Sequence, residues 1–68
     1  MNPQAPVYHW ILTLTCPDGR YSTFNDTNAL PPGTTRHEAF NGIVKACAAS
    51  MGTARYNVLF FSIEPEQL

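Results

Sequence analysis

The stretch Tyr56-Asn57-Val58-Leu59-Phe60-Phe61-Ser62-Ile63 predicts a β-strand that is apolar on both faces. Successive side chains of a strand point to opposite sides of the sheet. Strict alternation therefore gives two apolar faces: Leu59, Phe61 and Ile63 on one side, and Tyr56, Val58 and Phe60 on the other. A strand of this kind needs cover on both faces, and the rest of the chain predicts only one helix to provide it.

Two further strands are predicted near the beginning of the chain. Val7 to Thr15 is rich in β-branched and aromatic residues and alternates well, with Tyr8, Trp10, Leu12 and Leu14 on one face. Cys16-Pro17-Asp18-Gly19-Arg20 predicts a hairpin turn, because proline presets φ and glycine can adopt the left-handed conformation. A shorter return strand is expected from Arg20 to Asn25, followed by a loop from Asp26 to Gly33 that contains two prolines and a glycine.

One helix is predicted between this loop and the last strand. Thr35-Arg36-His37-Glu38 has the form of a capping box, in which Thr35 and Glu38 each bond the other's backbone N–H. An apolar stripe at helical spacing follows, and Gly52 is suited to the C-terminal cap. The stripe consists of Phe40, Ile43, Val44, Cys47 and Met51.

These elements predict an α+β fold, a single ββαβ domain with a three-stranded, mainly antiparallel sheet in the order 2-1-3 and one helix on one face. The domain is expected to span residues 7–64, after a disordered lead-in at residues 1–6 and before a short acidic tail at residues 65–68. The face away from the helix should stay open. We expect it to present His9, Ile11, Thr13, Val58 and Phe60, with Tyr56 near one end.

Composition limits the classes of function. The 68 residues carry four Lys+Arg and five Asp+Glu, a net charge of -1. A polyanion binder usually shows a basic stripe, and here the basic residues are scattered. The chain shows neither a signal-peptide pattern nor an apolar run of membrane-spanning length, so we expect a cytoplasmic protein with reduced, buried Cys16 and Cys47.

Metal and thiol chemistry are the first site candidates. His9, His37, Cys16 and Cys47 are possible ligands, but no pair has the short spacing typical of zinc sites. Cys47 could act as a nucleophile beside a histidine, although its place in the apolar stripe explains it as a small core residue. We therefore predict no metal, no cofactor and no catalytic residue.

Three segments resemble a pattern in short uncharacterised actinobacterial and actinophage proteins. They are Tyr8-His9-Trp10-Ile11-Leu12-Thr13-Leu14, Thr35-Arg36-His37-Glu38-Ala39-Phe40 and Asn57-Val58-Leu59-Phe60-Phe61-Ser62-Ile63-Glu64-Pro65. The resemblance covers most of the chain. It implies a bacterial or phage cytoplasmic setting and supplies no site residues.

The open face predicts a non-enzymatic protein-binding module, because a contiguous exposed apolar patch with few charges is typical of an interface. Self-association into a homodimer is the first form expected, and an adaptor or inhibitor of a larger bacterial protein is another. The predicted interface consists of His9, Ile11, Tyr56, Val58 and Phe60.

Four alternatives stay open. The Asp26–Gly33 loop or the N-terminal tail could cover Val58 and Phe60 within the monomer. The edge of the last strand, which has little charge, could add a strand from another chain. Exposed aromatic residues could stack the bases of a single-stranded nucleic acid, with Arg20 and Arg55 as phosphate contacts. An enzyme of unknown type comes third among the functions.

Overall fold

The computed structural model describes residues 6–67. Its elements are strand β1 (Val7–Thr15), strand β2 (Tyr21–Ala29), helix α1 (Arg36–Met51) and strand β3 (Asn57–Pro65). The sheet has the order β2-β1-β3, and β1 is antiparallel to both neighbours. The predicted ββαβ fold is confirmed. Of the predicted lead-in and tail, residues 1–5 and Leu68 lie outside the described residues.

The hairpin between β1 and β2 closes as its sequence predicts. The backbone N–H of Gly19 donates to the Cys16 carbonyl oxygen at 3.0 Å, and the Cys16 N–H donates to the Arg20 carbonyl at 2.8 Å. Gly19 has a φ of +93°, a value that favours glycine. The turn therefore fixes the register in which Thr15 faces Tyr21.

Strand β2 is longer than predicted, because Asp26 to Ala29 continue the strand instead of entering a loop. Asp26 pairs with Trp10, and the Trp10 indole N–H donates to Asn28 Oδ1 at 2.7 Å. Asp and Asn are poor strand formers, but pairing with a neighbouring strand outweighs that preference. This segment lies on the far side of β1 from β3, so the prediction of a covering loop from residue 26 was wrong over residues 26–29.

Helix α1 begins and ends where its sequence predicts. The Glu38 N–H donates to Thr35 Oγ1 at 3.1 Å, and the Thr35 N–H donates to Glu38 Oε1 at 3.2 Å, which completes the capping box. At the other end, Gly52 has a φ of +70° and its N–H donates to the Ala49 carbonyl oxygen. Both ends therefore satisfy backbone groups that a helix leaves without partners.

The core lies between α1 and the face of β1 predicted to meet it. Leu12 and Leu14 are fully buried. The buried cluster consists of Trp10, Leu12, Leu14, Ile43, Val44, Cys47 and Ala48, and half-buried Phe24, Phe40, Met51, Phe61 and Ile63 pack against it. The stripe is thus confirmed, although Phe40 and Met51 lie at its margin, and Ala39 and Ala48 are buried beyond it.

Removal of the cap hydroxyl tests how much the helix start contributes. We expect Thr35→Ala to lower the free energy of unfolding by about 1 kcal/mol, because the Glu38 N–H loses its acceptor. Urea unfolding followed by circular dichroism measures the change. Ser50→Ala removes a hydroxyl from an exposed helical position and should change stability by less than about 0.5 kcal/mol. Equal losses in the two variants would contradict this role for Thr35.

Candidate protein-binding surface

A β-bulge in β3 changes which face Val58 occupies. Thr13 pairs with Phe60 and Leu14 pairs with Val58, so Leu59 has no partner on β1. Directly opposed residues of an antiparallel pair point to the same side of the sheet. Val58 therefore lies on the helix side with Leu14, and its predicted place on the open face beside Phe60 was wrong. The extra residue interrupts the alternation on which that prediction relied.

The other predicted interface residues divide between the open face and the start of β3. Phe60 is 53% exposed on the open face, where Ile11 and His9 lie half-buried on β1. Tyr56 precedes β3 and is exposed. Around Ile11 and Phe60 the open face is more polar than predicted. The pairing places these polar residues on it: Thr13, Thr15, Thr23, Asn25, Thr27, Asn57, Ser62 and Glu64.

The exposed apolar surface is concentrated at β3. We call Tyr56, Val58, Leu59 and Phe60 the β3 strip. Leu59, which was predicted to face the helix, is 62% exposed, so the sequence pattern failed to mark it as a surface residue. It failed for Tyr21 as well, which is 71% exposed and pairs with Thr15 on the open face. The hairpin register would have placed Tyr21 there, whereas no sequence signal marks the bulge.

The backbone of β3 is unpaired on its outer side. The Cys16 N–H donates to the Arg20 carbonyl oxygen, and the Leu30 N–H donates to the Pro6 carbonyl oxygen, so even-numbered residues along β1 bond to the β2 side. The Glu66 N–H donates to the Val7 carbonyl oxygen, so odd-numbered residues bond to the β3 side. Antiparallel bonding alternates along a strand. The β3 residues opposite Leu14, Leu12 and Trp10 therefore direct their N–H and C=O groups outward. These residues are Val58, Phe61 and Ile63.

The edge formed by β2 is blocked at one position. By the same alternation, the Thr27 N–H on β2 points away from β1. Asp26 Oδ1 accepts this N–H at 2.8 Å. A carboxylate at a sheet edge also discourages another strand from pairing there. Along β3, no residue from Asn57 to Ile63 is charged. The two edges therefore differ: β2 has a carboxylate on its outward backbone, and the centre of β3 has only uncharged residues.

Two of the basic side chains already have partners within the domain. Arg20 Nε lies 2.8 Å from Asp18 Oδ2 at the hairpin. The Arg20 backbone N–H, together with its side chain, holds the pKa of Asp18 below its ordinary value. The guanidinium carbon of Arg36 lies 5.1 Å from the centre of the Phe61 ring. Arg20, predicted as a possible phosphate contact, is thus engaged by a carboxylate.

The two cysteine thiols lie inside the domain and form no disulfide. Cys16 and Cys47 are free and buried. Burial raises the pKa of the Cys47 thiol, which lowers the fraction of reactive thiolate. Within residues 6–67, no three His, Cys, Asp or Glu side chains are close enough together to hold a metal ion. The structure therefore does not bring His9, His37, Cys16 and Cys47 together as one ligand set.

A groove runs between α1 and β3 on the helix side of the sheet. Its volume is about 430 Å³, and its lining consists of Arg36, His37, Phe40 and Phe61. The rings of Phe40 and Phe61 meet edge to face, with centroids 4.9 Å apart. Phe61, which lines this groove, is also one of the β3 residues whose backbone groups point outward.

Comparison with protein-family models, with curated proteins and with solved structures finds no match. In the part of the chain that the structure describes, no helix has the length and apolar character needed to cross a membrane.

The burial of Cys47 predicts slow alkylation of the folded protein. At pH 8, iodoacetamide should modify Cys47 at least about ten-fold more slowly in native protein than in urea-unfolded protein, because both access and thiolate fraction are reduced. A raised pKa also means that the folded state loses stability as pH rises into the alkaline range, where the unfolded chain releases this proton first. Mass spectrometry of timed samples measures the rates, and equal rates would contradict the burial.

Proposed function

We propose that this domain is a small non-enzymatic protein-binding module that self-associates through the β3 strip. The observation that carries this proposal is the concentration of exposed apolar side chains at one sheet edge whose backbone is unpaired. Apolar patches of this kind are unusual on monomers and typical of interface cores. A second copy presents the same surface and can meet the first about a twofold axis.

The surroundings of Cys47 support the non-enzymatic part of this proposal. Cys47, the one nucleophile candidate from the sequence, is 4% exposed and its pKa is raised by burial. A nucleophilic cysteine instead needs a lowered pKa and access to substrate. The resemblance to actinobacterial and actinophage proteins favours a bacterial or phage cytoplasm as the setting. An adaptor or inhibitor of a larger bacterial protein would use the same β3 strip.

A second candidate function is weak binding of single-stranded nucleic acid. It is favoured by the exposure of Phe60 and Tyr21 on the same open face, where bases could stack. The negative net charge and the engagement of Arg20 by Asp18 favour protein binding over this candidate.

The proposed self-association is tested by a charge at the centre of the β3 strip. Light scattering on a sizing column across a concentration series should show a dimer that dissociates on dilution. Phe60→Glu should raise the dimer Kd at least about 100-fold, because each copy loses a buried aromatic contact and gains a charge. The variant should stay folded, since Phe60 is more than half exposed.

Asn41→Glu provides the matched control, because it adds the same charge at an exposed position of α1. This variant should dimerise like the wild type. A wild-type chain that stays monomeric at every concentration would contradict the proposal. Unfolding of Phe60→Glu as an isolated domain would also contradict it, since Phe60 would then belong to the monomer core.

The nucleic-acid candidate has a separate test. A fluorescent single-stranded oligonucleotide at low salt should show a rise in anisotropy with the wild type that Phe60→Ala abolishes, if bases stack on this ring. Unchanged anisotropy with the wild type would exclude this function.

A further inference from the structure

We propose that the second copy joins at the edge of β3, antiparallel to it, with the twofold axis between Leu59 and Phe60. The two three-stranded sheets then form one continuous sheet, with both helices on the same side. This inference rests on the proposed self-association and specifies its geometry. It differs from a face-to-face dimer, in which the open faces of two sheets would stack on each other.

The bulge restricts the registers in which a second copy can bond to β3, and it favours the one that places the two bulges opposite each other. Val58, Phe61 and Ile63 of β3 direct both an N–H and a C=O outward, with an irregular spacing because the bulge lies between the first two. Pro65 directs only a C=O outward, because proline has no N–H. A second copy bonds to this edge only if its own outward groups lie opposite. An axis between Leu59 and Phe60 places Val58 opposite the partner's Phe61 and extends the ladder to Ile63 opposite the partner's Tyr56. The two bulges then face each other, and the irregular spacing matches.

The same register pairs apolar side chains throughout its centre. Leu59 lies opposite the partner's Phe60, and Val58 lies opposite the partner's Phe61. Cross-strand pairs of aromatic and aliphatic residues are among the favourable ones in sheets. Tyr56 extends along the partner's groove between α1 and β3, beside the partner's Phe61. Each member of the β3 strip thus gains an apolar cross-strand neighbour from one pairing.

Charge complementarity supports the antiparallel register independently. Arg55 precedes β3, Glu64 lies near its end, and both are exposed. An axis between Leu59 and Phe60 puts Arg55 directly opposite the partner's Glu64. Arg55 lies two residues before β3, where Thr53 Oγ1 bonds both its N–H and its C=O. Extension of the strand through Arg55 in the dimer would place its side chain on the open side of the sheet, which Glu64 occupies through its pairing with His9. Symmetry creates this ion pair twice, whereas a parallel arrangement would bring like charges together.

A charge-exchange experiment tests this register. The dimer Kd is measured by sedimentation equilibrium for the wild type, Arg55→Glu, Glu64→Arg and the variant that carries both changes. Each single change should raise Kd about ten-fold, because two opposed ion pairs become two like-charge contacts. The double variant should return to within about two-fold of the wild type. Circular dichroism and thermal melting of each variant confirm that the monomer fold is retained.

Three control variants separate pairing at the β3 edge from a general effect of surface charge. Lys45→Glu makes the same charge change as Arg55→Glu on exposed α1 and should leave Kd unchanged. Glu66→Arg changes a charge beyond the predicted pair and should affect Kd less than Glu64→Arg. Thr23→Glu adds a charge to the open face of β2, away from the β3 edge, and should also leave Kd unchanged.

The outcomes distinguish this inference from the function on which it rests. Two results together support both self-association and the proposed register. Phe60→Glu must disrupt the dimer, and the single and double changes at Arg55 and Glu64 must shift Kd as described. A dimer that Phe60→Glu disrupts but that ignores charge exchange overturns the register and leaves self-association standing. Sensitivity to Thr23→Glu without sensitivity to Arg55→Glu overturns edge pairing in favour of stacked faces. A wild-type monomer at every concentration overturns both proposals.

Discussion

The bonding of β1 on both of its sides is the constraint on which the rest of this structure depends. Its even-numbered residues bond to β2 and its odd-numbered residues bond to β3. The central strand therefore has no free edge, and the two outer strands each have one. A single helix covers the middle of one face, where Leu12 and Leu14 are fully buried. What remains for interaction is the open face and two edges.

The two edges differ because of short-range chemistry. On β2, the Asp26 carboxylate accepts the outward N–H of Thr27 and places a charge at the edge. On β3, apolar side chains surround outward backbone groups, and a bulge increases their exposure by leaving Leu59 without a partner. Exposed apolar edge strands are a known route to unwanted pairing. Under the proposed edge pairing, the irregular spacing of the outward groups would restrict this pairing to a partner with the same spacing, which a second copy would have.

Most of the fold could be predicted from the sequence, because its signals are local. The capping box at Thr35 and Glu38, the cap at Gly52 and the turn around Gly19 each specify a backbone conformation by themselves. The end of β2 and the face of Val58 could not be predicted in this way. Both depend on pairing with β1, which extends β2 through weak strand formers and accommodates an extra residue in β3. Of the predicted interface residues, Val58 therefore lies on the helix side of the sheet instead of the open face.

Amide hydrogen exchange along β3 is the decisive measurement for pairing at this edge, because it reports the outward backbone groups themselves. At low concentration, the Ser62 and Glu64 amides, which face β1, should be protected, and the Phe61 and Ile63 amides should exchange rapidly. At concentrations where the mass is that of a dimer, edge pairing should protect the Phe61 and Ile63 amides as well. Rapid exchange of these two amides in the dimer would contradict it.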